Sequence, residues 1–138
     1  MRLRHILETS LYVNDLEQAC DFYSRLLGVA PYEHQPGRHV FFRLETAMIL
    51  LFDPDAAAKE GGALPPHGAR GPGHVAFRVP RAEVDGWRAQ LRQLDVPIDT
   101  EYTWSDNLVS LYFRDPSGNL LEITTGAIWG LDDEGNSD

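Results

Sequence analysis

The chain has 138 residues, of which 43% are hydrophobic and 24% charged. That suits one globular domain with a real apolar core and argues against wholesale disorder. Twelve Lys and Arg against 21 Asp and Glu leave a formal charge of −9, which disfavours nucleic acid or an anionic membrane as partner. No apolar run approaches the roughly 20 residues that span a bilayer. The start of the chain carries no signal-peptide core, and the single cysteine, Cys20, has no intrachain partner for a disulfide. A cytoplasmic protein is expected.

In chain order, the first predicted element is a short alternating strand over 8–13. A helix follows, with Asn14 as N-cap and Glu17 three residues on, in the form of a capping box. Leu16, Ala19, Phe22, Leu26 and Leu27 form its apolar stripe, and Gly28 sits where it should end. Three strand-like segments come next, over 29–34, 39–44 and 47–52. Residues 53–73 are rich in Ala, Gly and Pro and read as a linker or flap.

The pattern then repeats. A strand over 74–79 matches the first one. Val84, Trp87, Leu91 and Leu94 mark a second helix, stopped by Asp95-Val96-Pro97. Strands over 98–104, 108–113 and 120–124 complete the second half. Each half therefore reads βαβββ, and neither alone buries its sheet and helix well. The expected fold is α+β in a single domain spanning 1–138. Its modules, 5–53 and 73–125, pack by pseudo-twofold symmetry into a curved sheet enclosing a cleft, with a flap over 54–72. Leu131 to Asp138 holds four carboxylates and no base, and reads as a solvated acidic tail.

Strand parity assigns faces. Leu11 and Val13 should face the helix of their module, leaving Glu8, Ser10 and Tyr12 on the other side. Val75, Phe77 and Val79 leave His74, Ala76 and Arg78; Leu121 and Ile123 leave Leu120, Glu122 and Thr124. Glu8 and His74 occupy equivalent places in the repeat, and Glu122 has its counterpart near Leu50. Taken singly, each ionisable residue has a plainer reading. Arg78, Arg43 or Arg114 can neutralise Glu8 or Glu122, and His74 can cap a hydrogen-bond network. Taken together, two carboxylates and an imidazole suit a divalent ion with open coordination positions. Burying two uncompensated carboxylates is costly, and a dication is a common remedy.

The stretches LETSLYVNDLEQACDFYSRLLG (7–28), GPGHVAFRVP (71–80) and LYFRDPSGNLLEI (111–123) resemble the vicinal oxygen chelate superfamily. Glyoxalase I, fosfomycin-resistance thiol transferases, extradiol dioxygenases, epimerases and bleomycin-binding proteins belong to it. The resemblance covers about residues 5–125, and Asp115-Pro116-Ser117-Gly118-Asn119-Leu120-Leu121-Glu122 is its most specific part. It implies metal ligation by Glu8, His74 and Glu122, with a homodimer as the expected assembly. Two departures stand out. The first ligand in the family is usually histidine, whereas counting back from Asp15 reaches Glu8; His5 has the opposite parity. The four-ligand glyoxalase I pattern wants a carboxylate where Leu50 stands, which argues against authentic glyoxalase I.

Other residues complete the candidate site. Tyr112 is a candidate proton donor or relay, with a half-buried sheet tyrosine as the plainer reading. Ser10, Tyr12, Phe41, Trp104 and Arg114 are candidate substrate contacts. Tyr102 can add to an apolar wall, Arg38 and Arg43 to an anion clamp, and His67 and Arg70 lie in the flap. Cys20, beside a helix stripe, is expected to be inert, and 127–131 is apolar enough to dock.

The leading expectation is a metal-dependent enzyme using Mn²⁺, Mg²⁺, Ni²⁺, Fe²⁺ or Zn²⁺ as Lewis acid on a small substrate with vicinal oxygens. Isomerase, lyase, thiol transferase and oxygenase outcomes stay open. A metal-bound water, or Glu8 or Glu122 freed by ligand exchange, is the expected base. The rival is a metal-free module of bleomycin-resistance type that sequesters a bulky small molecule.

Overall fold

A computed structural model describes residues 1–131; of the acidic tail at 131–138, all but Leu131 lie outside the described residues. The chain forms two compact units. The first comprises Met1–Gly73 and Pro116–Asn119, the second His74–Asp115 and the chain from Leu120.

In the first unit, strand β1 (Glu8–Tyr12) leads into helix α1 (Leu16–Leu27), then β2 (Glu33–Gln35), β3 (His39–Arg43) and β4 (Met48–Phe52). The sheet order is β1-β4-β3-β2; β1 runs parallel to β4 and the other pairs are antiparallel. The N-cap of α1 is Asp15, not Asn14: the Asp15 carboxylate accepts from the Gln18 N–H, while the Asn14 N–H donates to Ser117 Oγ. Asp15 and Gln18 carry the capping-box spacing one residue later than expected. The helix ends at Gly28, whose φ of 69° is the left-handed conformation that glycine adopts without a Cβ penalty. Its buried stripe, Leu16, Ala19, Phe22, Tyr23 and Leu26, covers Val40 and Phe42 of β3 and Ile49 and Leu51 of β4.

The opposite face of this sheet is also apolar. Leu50 and Phe52 pack there with Ala57, Tyr12, Phe41 and Met48. A central strand buried on both faces explains the unbroken run Met48-Ile49-Leu50-Leu51-Phe52. Two segments differ from expectation. The ladder of β2 starts at Glu33 rather than at 29, since Pro31 has no N–H to give it. The linker holds a short helix, α2 (Pro54–Ala57): Asp53 accepts from the Ala56 N–H, and Pro54 in the first turn is pre-set for helical φ. Past α2, buried Asn119 accepts from the Gly73 N–H at 2.7 Å and donates to the Tyr12 carbonyl at 3.0 Å.

The second unit repeats the arrangement: β5 (His74–Arg78), α3 (Val84–Gln93), β6 (Ile98–Thr103), β7 (Val109–Arg114) and β8 (Leu120–Thr124), in the order β5-β8-β7-β6. Again the outer strand, β5, is parallel to the central one, β8. Leu111, Phe113, Leu121 and Ile123 are fully buried, and Leu91 and Val84 of α3 are buried with them. The chain leaves α3 through Asp95, a non-glycine residue at φ 56°. The α+β architecture of two βαβββ modules is therefore the observed one.

Candidate functional site

Strand register fixes which side chains of the second unit share a face. Ala76 and Tyr112 are the neighbours of Glu122 on either side, and His74 pairs with Leu120. Glu122 is only 5% exposed. Its Oε2 lies 3.2 Å from His74 Nε2, while Oε1 is buried with no hydrogen-bond partner among the described residues. His74 is held from behind: Nδ1 is 2.8 Å from the Leu120 carbonyl oxygen. A carbonyl only accepts, so Nδ1 is the donor. In the neutral ring Nε2 then carries a lone pair, and it faces a carboxylate oxygen that also carries lone pairs. Either a proton or a cation satisfies both atoms. This use of one ring nitrogen to orient the other is the usual support of a metal-ligating histidine. His74 and Glu122 are thus two side chains of the kind that ligate a divalent ion, brought together on one face.

Tyr112 stacks near His74, with ring centroids 6.3 Å apart. Burial, and then the Glu122 carboxylate, push its phenol above its ordinary pKa. It therefore stays protonated and serves as a donor at neutral pH. Beside it runs a chain of hydrogen bonds. Trp104 Nε1 donates to Ser110 Oγ at 2.9 Å, Ser110 Oγ to Thr124 Oγ1 at 2.9 Å, and Thr124 Oγ1 to the Val109 carbonyl at 3.1 Å. Trp104 also meets Tyr102 edge to face, so it is anchored at both its polar and apolar parts. Arg114 pairs with Asp99 at the exposed end of β7.

Glu8, Ser10 and Phe41 lie in the first unit, on the walls of a cleft of about 610 Å³. Glu8 is exposed, as is Ser10. Phe41, Leu50 and Phe52 supply the cleft's apolar surface, and Leu64, Pro65 and His67 of the flap line it as well. His67 is fixed there by Tyr12, whose hydroxyl lies 2.6 Å from His67 Nδ1. Tyr12 thus holds the flap rather than the base of the cleft. Of the other flap and arginine candidates, Arg70 pairs with Asp55 and Arg43 lies over the Tyr32 ring. Among the described residues, no group of three or more His, Cys, Asp or Glu side chains gathers closely enough to hold a metal ion. The second unit contributes the pair His74 and Glu122.

One cleft residue was not singled out from the sequence. His39 is 6% exposed, with its ring stacked on Phe41 at 4.0 Å and edge-on to Phe52 at 6.0 Å. Desolvation holds its pKa below the ordinary value despite the opposing charge of Glu33. The ring is therefore neutral at pH 7, and its 3.5 Å approach to Glu33 Oε2 is not an ion pair. Its parity with Phe41 and Arg43 on β3 was the signal that could have placed it on this face.

The chain belongs to the Glyoxalase/Bleomycin resistance protein/Dioxygenase superfamily, whose family model matches residues 2–123. Among solved structures it resembles a lactoylglutathione lyase from Agrobacterium tumefaciens, at 36% identity and a TM-score of 0.90, covering 95% of this chain and 100% of that one. A glyoxalase/bleomycin resistance protein/dioxygenase from Nocardioides shares the fold, at 22% identity and a TM-score of 0.71, covering 91% of this chain and 85% of that one. Among curated proteins, a metallothiol transferase FosB from Shouchella clausii is 26% identical over 118 residues, 84% of this chain and 76% of that protein.

Proposed function

We propose that this protein is a cytoplasmic enzyme that uses a divalent cation to act on a small substrate with vicinal oxygens. His74 and Glu122 would hold the ion, with Glu8 the further ligand nominated by the sequence. The observation that carries the reading is Glu122: a buried carboxylate with one oxygen unpartnered and the other facing an oriented imidazole. Such an arrangement costs several kcal/mol unless a charge compensates it. Bound there, the ion would supply Lewis-acid stabilisation of negative charge developing on substrate oxygen.

The chain's own residues supply the rest. Tyr112, kept protonated by its surroundings, donates a hydrogen bond or proton to substrate oxygen. The Leu120 carbonyl keeps the His74 ring in one tautomer and one orientation. The Ser110 and Thr124 hydroxyls fix the Trp104 indole beside them. The relatives called metallothiol transferase and lactoylglutathione lyase make thiol-containing substrates the first class to assay.

The experiment is elemental analysis of protein purified without chelators, followed by calorimetric titration with Mn²⁺, Ni²⁺ and Zn²⁺. One ion per chain is expected, and none in Glu122→Gln. Failure of all three ions to bind the wild-type chain would overturn the reading. It would favour the second one, a sequestering module, which the cleft lined by Phe41, Leu50 and Phe52 together with Glu8, Glu33 and Arg38 supports.

A further inference from the structure

His74 and Leu120 open the parallel β5–β8 ladder as its first register pair, and strand ends are where backbone pairing frays. The bond that orients the His74 ring, from Nδ1 to the Leu120 carbonyl, spans this pair. The residues just before the pair, Gly73 and Asn119, are joined by a side chain. Buried Asn119 accepts from the Gly73 N–H at 2.7 Å and gives its amide N–H to the Tyr12 carbonyl at 3.0 Å. Asn119 Oδ1 therefore fixes the peptide that leads into His74, and the Asn119 backbone leads into Leu120. A Cβ on Gly73 would stand 3.3 Å from Asn119 Oδ1 and 3.1 Å from Leu11 Cδ2, so the close approach uses a glycine.

The strand pairing itself does not require this tether. In the first unit the equivalent parallel pair opens with Glu8 and Met48. The residues before them are Leu7 and Ala47, whose side chains have no acceptor to offer. That pair forms nonetheless, with the Met48 N–H donating to the Leu7 carbonyl at 2.9 Å. The amide tether is found in the copy whose edge strand begins with a histidine.

We propose that Asn119 is the positioning residue of His74. By tying Gly73 to the start of β8, it keeps the His74 Nδ1–H on the Leu120 carbonyl. In the neutral ring this leaves Nε2, the atom facing Glu122, without a proton. Outer groups that fix the tautomer and orientation of a ligating histidine are worth about 10- to 100-fold in metal affinity. That consequence rests on the metal-binding reading of His74, whereas the ring geometry is observable without any ion.

The test begins with the unaltered chain in EDTA at pH 8.5, above the ordinary histidine pKa of about 6.5. Long-range proton–nitrogen NMR spectra, assigned with His74→Gln, should show His74 as the Nδ1–H tautomer. The Gly73 amide should be protected from hydrogen exchange. Asn119→Ala should give a mixture of tautomers and bind Mn²⁺ about 10- to 100-fold more weakly by calorimetry. Asn119→Asp keeps an acceptor for the Gly73 N–H and should hold the wild-type tautomer. Val40→Ala truncates a buried core residue of the first unit. It should lower the Tm without moving the His74 signals, which separates positioning from general loss of stability. A fast-exchanging Gly73 amide or an Nε2–H tautomer in the unaltered chain would overturn the proposal, whether or not the variants fold. So would a single Nδ1–H tautomer in folded Asn119→Ala, its loss in folded Asn119→Asp, or mixing in Val40→Ala. If no ion binds the unaltered chain, the metal-binding reading fails, and the tautomer measurements still decide the role of Asn119.

Discussion

Leu50 and Glu122 stand at the same place in two copies of one sheet. Leu50 lies between Ser10 and Phe41 in register, Glu122 between Ala76 and Tyr112. At this one place the same backbone thus presents an apolar side chain in one unit and an ionisable one in the other. Phe41 and Phe52 flank the leucine; Tyr112 and His74 flank the carboxylate. The two units share strand order and register and differ in the chemistry at this position, and each side chain has its own consequence for stability and binding.

The polar face predicts how Glu122→Gln responds to metal. Without a divalent ion, the glutamine keeps the shape and removes a buried charge. The metal-free variant should match or exceed wild type in stability by about 1–2 kcal/mol. With Mn²⁺ at about 100 times its Kd, wild type should gain about 2.7 kcal/mol and the variant nothing. Thermal melts of both chains with EDTA and with Mn²⁺ decide it. An equal rise in Tm for both would show that Glu122 is not a ligand.

The apolar face predicts the opposite response at the equivalent position. Leu50→Glu puts a carboxylate among Phe41, Phe52 and Met48. It forfeits the leucine's packing and puts a charge against an aromatic wall. A loss of about 2–5 kcal/mol follows. Urea denaturation at pH 8 measures it. A loss under about 1 kcal/mol would mean that this face is wetter than its burial implies.

Ser110 is the middle link between Trp104 and Thr124, and it is fully buried. Ser110→Ala leaves the indole N–H without its acceptor and Thr124 Oγ1 without one of its partners. The cost should be about 1–2 kcal/mol, read as a lower urea midpoint at an unchanged m value. Trp104 fluorescence should shift as the ring loses its anchor. An unmoved emission maximum together with wild-type stability would remove this chain of hydrogen bonds from the account.

Much of this was legible in the sequence because both periodicities are strong. The stripe from Leu16 to Leu26, the glycine at 28 and the alternation of Val75 and Phe77 leave little choice of element or face. The repeat then aligned Leu50 with Glu122, and strand register gives the same correspondence. What escaped were choices made by single side chains. Asp15 rather than Asn14 caps α1, since the Asn14 N–H is taken by Ser117, a hundred residues away in the chain. Asp53 and Pro54 start a helix in a segment whose composition suggests a loop. His39 sits in an apolar wall because Phe41 and Phe52 pack around it, a tertiary fact that strand parity only hints at.

His39 also gives the molecule a predictable pH response. Desolvation in the first unit holds its pKa below the ordinary value of about 6.5. The unfolded chain therefore binds this proton more readily than the folded one. The contribution to stability is complete above about pH 6.5 and is lost as pH falls through the lower, folded-state value. His39→Phe removes that loss while keeping an aromatic ring against Phe41. Comparing the two chains isolates the effect, because every other titrating group is common to both. Relative to the variant, wild type should hold its stability from pH 8 to about pH 6.5 and lose it progressively below that, down to pH 5, in urea titrations. A difference between the two midpoints that stays constant over that range would mean that the ring titrates normally and that the cleft wall does not exclude water from it.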